Sequence, residues 1–172
     1  LELVAKKTGA TSVSIIAHSM GNQVLLPVLE ELKREAPEGV RISEVILAAP
    51  DMERLTFQNF ASRIAGFVRG VTLYASANDR ALQASKRFWG GDRAGEVPQG
   101  GPIILQGLDT IDVTNTSTDM FSLGHSGYAE TTELINDIQL LLQTGERPPK
   151  QRVPILETVN TASGDYWRYP TK

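Results

Sequence analysis

Ser19 ends the apolar, β-branched run Val13-Ser14-Ile15-Ile16-Ala17-His18, with small residues two positions to either side, Ala17 before it and Gly21 after. A strand that turns sharply into a helix at a serine strains that residue's backbone, and bulk at those flanking positions strikes neighbouring backbone. The turn lifts the hydroxyl out of the carboxyl end of the sheet. It also lays the backbone N–H of Met20 at a helix N-terminus, a donor suited to a developing oxyanion. The plain alternative is a serine that caps a helix.

A serine hydroxyl becomes a nucleophile when an imidazole takes its proton and a carboxylate steadies the imidazole. The chain has two histidines. His18 adjoins the serine, where its side chain should diverge from it, which leaves His125 as the base. Gly124, Ser126 and Gly127 around His125 suit a tight turn. Two carboxylates follow strand-like runs: Asp51 after the second and Asp79 after the third. The acid commonly lies two strands after the nucleophile, which selects Asp79, with Asp51 as the minority position and helix capping as the plain role for Asp79. Ser19, Asp79 and His125 then run in the order Ser, Asp, His, which sets them apart from other serine-nucleophile folds.

These groups need strand ends to carry them. Apolar runs at residues 13–17, 45–49, 71–76 and 110–114 read as strands buried on both faces. Between them, helical periodicity places Val24, Leu25, Val28, Leu29 and Leu32 on one face, with Pro27 expected to bend that helix. Phe57, Phe60, Ile64 and Phe67 form a core-type stripe. Leu82, Ser85, Phe88 and Trp89 share a face after Asp79, and Leu134, Ile135, Ile138, Leu141 and Leu142 make a last apolar face. Residues 90–102, rich in Gly and Pro, read as a surface loop, and the tail beyond 145 shows no period. Strand and helix alternate, which predicts an α/β fold: a mostly parallel sheet with helices on both faces. In such sheets active groups gather beyond the carboxyl ends of the strands.

Composition narrows the chemistry. With 172 residues and 41% apolar content the chain can bury one sizeable core. A net charge of −3 gives no basic footprint for nucleic acid. Without cysteine there is no disulfide, thiol nucleophile or cysteine zinc site, so no metal and no cofactor are expected.

The segments Ile-Ile-Ala-His-Ser-Met-Gly-Asn, Val-Ile-Leu-Ala-Ala-Pro-Asp, Val-Thr-Leu-Tyr-Ala-Ser-Ala-Asn-Asp-Arg-Ala-Leu and Leu-Gly-His-Ser resemble the bacterial α/β-hydrolase family catalogued as a domain of unknown function, DUF900. The resemblance spans about residues 13–125 and implies the α/β-hydrolase fold with Ser19, Asp79 and His125 as the triad. It implies no particular substrate. The expected activity is hydrolysis of a small-molecule ester or other acyl substrate through an acyl-enzyme, as in esterases and lipases. The alternative is a hydrolase-like scaffold that binds without turnover. Several strands precede the serine turn in the complete fold. Residues 1–145 are therefore expected to be the C-terminal part of such a domain, with residues 146–172 an irregular extension packed on it. A missing N-terminal half or a companion chain would then supply the second oxyanion donor and cover the otherwise unpaired edge of the serine-bearing strand.

Overall fold

The structure, a computed structural model, describes residues 2–35, 41–116 and 132–171. The elements in order are α1 (Glu2–Thr8), β1 (Ser12–His18), α2 (Gly21–Glu35), β2 (Arg41–Ala48), α3 (Arg54–Ile64), β3 (Gly70–Ala75), α4 (Arg80–Trp89), β4 (Leu108–Asp112), α5 (Thr132–Thr144), α6 (Pro149–Arg152), β5 (Glu157–Thr161) and β6 (Gly164–Arg168). The strands form one sheet in the order β1-β2-β3-β4-β6-β5, parallel except for the β5–β6 hairpin.

The apolar runs of β2 and β3 do what two-sided burial requires. β1, expected to be buried on both faces, instead lies at the sheet edge with only Ala17 buried and Ile16 51% exposed, because among the described residues no strand pairs with its other side. Val45 and Leu47 of β2 enter a core with Leu26 and Leu29 of α2 and Phe57 and Ile64 of α3. Ile46, Tyr74 and Ile111 point the other way, into a core with Leu134 and Leu141 of α5 and Trp167 of β6. Each fully buried side chain of this kind contributes about 1.5–3 kcal/mol. The sheet is thus clamped between α2 and α3 on one face and α5 on the other. Pro27 does not interrupt α2. It lies on an exposed side with Gln23, whose carbonyl can turn to water instead of the missing donor.

The tail departs from the aperiodic reading: it supplies α6 and the β5–β6 hairpin, and β6 pairs with β4 through Ile111↔Trp167 and Asp112↔Arg168. Its strands are mostly polar because β5 lies at the sheet edge, so no apolar run announces them. Leu156, Trp167 and Tyr169 carry the tail's apolar burial, entering the same core as Ile46 and Tyr74. Two ionic clasps hold this end. Arg147 lies across Gly70, where any side chain would collide with it, and donates to Glu44 Oε2 at 2.5 Å, to Thr72 Oγ1 at 3.2 Å and to the Asp109 carboxylate. Burial pushes the Asp109 carboxyl up, and the guanidinium opposes that only in part. Asp137 of α5 accepts from Tyr74 Oη at 2.7 Å and from Arg152 Nε at 2.6 Å, all three groups buried.

The loop at 90–102 is not the surface excursion its composition suggests. Arg93, Ala94, Gly95 and Glu96 are buried, threaded across the ends of β2 and β3 by bonds from Gly95 N–H to Pro50 O and from Ser76 N–H to Gly95 O. A Cβ on Gly95 would lie 2.6–2.7 Å from the backbone of Ala49 and Pro50. Gly95→Ala is therefore expected to destabilise the chain by about 1–3 kcal/mol in chemical denaturation, the usual cost of forcing bulk into a filled site. Gly21→Ala should be nearly neutral in the same assay, since its Cβ meets only the Ala17 methyl at 4.0 Å.

Candidate active site

Strand register aligns His18 with Ala48, Ala48 with Tyr74, and Ala75 with Asp112, so the four parallel strands from β1 to β4 end along one edge. Ser19 leaves this edge first. Its φ of 51° lies in the left-handed region, which costs a non-glycine residue on the order of 1–3 kcal/mol and persists only when surrounding bonds hold it. The bonds are present. Ser19 N–H donates to Ala48 O at 3.0 Å, while its carbonyl accepts from Asn22 N–H at 3.2 Å, Asn22 Nδ2 at 2.9 Å and Asp51 N–H at 3.2 Å.

Asn22 is a site residue that the motif reading missed. It is fully buried under the turn and occupies the same stripe as Leu26 and Leu29, so a polar residue at a core position was the available signal. The N–H of Met20 meets no acceptor among the described residues, as an oxyanion donor requires.

Asp51 also does more than follow a strand. Its carbonyl accepts from Gln23 Nε2 at 2.5 Å, and its carboxylate accepts from Ser85 Oγ at 2.7 Å and lies 3.5 Å from Arg93 Nε. With Oδ1 held from α4 and the buried loop, Asp51 is a brace under the serine turn. This leaves Asp79 as the less encumbered carboxylate. Asp79 caps α4, Oδ1 accepting from Leu82 N–H at 3.0 Å, the plain role expected of it. Its charge reaches His18: burial lowers the imidazole's pKa, and the Asp79 carboxylate opposes that.

The turn that bears Asp79 is fastened to the end of β4. Ala77 N–H donates to Thr114 Oγ1 at 2.9 Å, and Asn78 Nδ2 donates to Thr114 O at 3.1 Å. His125 belongs to the connection between β4 and α5 and lies outside the described residues. Ser19, Asp51 and Asp79 thus gather at one sheet edge, and the connection carrying His125 springs from the same edge.

A mostly parallel sheet with helices on both faces, and a strained serine where a strand turns into a helix, make this an α/β-hydrolase fold. A family model described as alpha/beta hydrolase of unknown function (DUF900) matches residues 1–144, and the chain belongs to that family. Neither a curated protein nor a solved structure matches the chain. Membership assigns the chain to hydrolases in general.

Proposed function

We propose that the chain is a serine-dependent carboxylic ester hydrolase. Ser19 Oγ attacks the acyl carbonyl as His125 takes the hydroxyl proton, and Asp79 orients the imidazole and stabilises its cation. The Met20 N–H holds the oxyanion. His125 then protonates the leaving alcohol, and an acyl-Ser19 ester forms. Water, deprotonated by His125, attacks that ester and releases the acid and the free serine.

The observation that carries this reading is the φ of 51° at Ser19, a strain that a mere helix cap does not need. A fluorophosphonate probe tests it, because such probes phosphonylate only an activated serine. The expected result is a single adduct, mapped to Ser19 by peptide mass spectrometry and absent in Ser19→Ala. A folded chain that takes up no probe would point instead to a binding scaffold.

A further inference from the structure

The serine site leaves α4 unexplained. Phe88 and Trp89 share the helical stripe of Leu82 and Ser85, yet of these only Leu82 is buried. Phe88 is 79% exposed and Trp89 75%, their rings edge to face at 5.0 Å. Large aromatics held in water at a helix end mark a contact surface.

The rest of the helix says what kind. Ala81, Ala84 and Phe88 share the solvent side at helical spacing, with Arg80 and Arg87, two turns apart, along its flank, and all five are exposed. Between Asp79, which caps the helix, and Asp92, which pairs with Lys86, there are three basic residues and no further acidic one, in a chain whose net charge is −3. Lys86 is used internally, paired with Asp92 at 2.6 Å and near Glu96 at 3.7 Å. Arg80 and Arg87 have no carboxylate partner among the described residues. The helix is fixed in place by the Asp79 cap, the Ser85–Asp51 bond and a terminal bond from Gly90 N–H to Lys86 O. Since Asp51 also bonds to the carbonyl of Ser19, this face stands beside the serine turn.

We propose that the exposed face of α4 docks on an anionic lipid surface, with Phe88 and Trp89 entering the interface and Arg80 and Arg87 pairing with phosphate headgroups. Small alanines let the helix lie close, the aromatic rings suit the zone between headgroup and acyl chain, and arginine stems reach from apolar to charged ground. Charge complementarity favours an acidic bilayer over a zwitterionic one. Docking through α4 does not involve the Ser19 hydroxyl, and Ser19→Ala should bind as the parent chain does.

The test is co-sedimentation of the full chain with vesicles of phosphatidylcholine, with and without phosphatidylglycerol, together with tryptophan emission. Binding is expected only to the anionic vesicles. A blue shift should accompany it and arise from Trp89, because Trp167 is already buried. Trp89→Phe should abolish the shift while retaining binding. Phe88→Ala combined with Trp89→Ala should weaken binding by tenfold or more, and Arg80→Gln or Arg87→Gln by about fivefold each. All these side chains are exposed, so melting temperatures should not move. Failure to bind anionic vesicles, equal binding to neutral ones, or binding that survives loss of both aromatics overturns the proposal. So does aromatic-dependent self-association without vesicle binding, which would assign the face to a second copy of the chain.

Discussion

Replacing Asp137 by alanine is expected to destabilise the chain by about 3–5 kcal/mol, the usual cost of removing one partner from a buried ion pair. For a chain of this size that is a fall of roughly 6–20 °C in melting temperature. The side chains of Asp137 and Arg152 are fully buried, and the carboxylate is also the acceptor for the Tyr74 hydroxyl. Alanine leaves a guanidinium in the interior with a bond to Glu146 O at 2.8 Å but without its ion-pair partner, and leaves the tyrosine O–H without its acceptor. Asp137→Asn should cost less, because it can still accept one bond. Tyr74→Phe should cost roughly 1 kcal/mol, the worth of one hydrogen bond. The pair itself need not be a net gain: Asp137→Leu with Arg152→Met, which removes both charges and keeps the volume, is expected to recover most of the loss. Thermal melts of the four variants decide it. An Asp137→Ala chain that melts within 2 °C of the parent would mean that water reaches this pair.

That clasp also shows what the sequence could and could not convey. β2 and β3 carry apolar runs because both faces are covered, and a run of that kind is visible locally. Glu44 is buried in β2 only because Arg147, 103 residues away, meets it at 2.5 Å, so local polarity hid the start of that strand. The β5–β6 hairpin was hidden for a related reason, since an edge strand needs few apolar residues. At the site, Ser19 and Asp79 were legible as strand-end residues flanked by turn chemistry. The brace of Asp51, Ser85 and Arg93 was not, because its members meet from three segments and the helical period that includes Ser85 says nothing of the other two. The exposure of Phe88 and Trp89 escaped for the opposite reason: a helical stripe of large side chains reads as core whether or not anything covers it.

The largest functional effect expected is at His125. If it is the base for Ser19, then Ser19→Ala, His125→Ala and the double variant should all lose turnover of an activated acyl ester by a similar factor, on the order of 10⁴ or more, because members of one catalytic unit are not additive. His18→Gln separates the two imidazoles. His18 ends β1 in the field of Asp79, and an enzyme that used it as base would lose activity with that substitution as fully as with the loss of Ser19. The expectation is a change of only a few-fold. Asp79→Asn should fall between, since a neutral amide can hold the ring but neither fixes its tautomer nor balances its charge. The pH profile gives an independent reading. The base works unprotonated, so activity should fall as pH drops through the pKa of His125, about 6.5 for an unperturbed imidazole, and the fall should persist in His18→Gln. A rate flat from about pH 5 to 8 would remove histidine from the mechanism, because no other unperturbed side chain changes charge in that window.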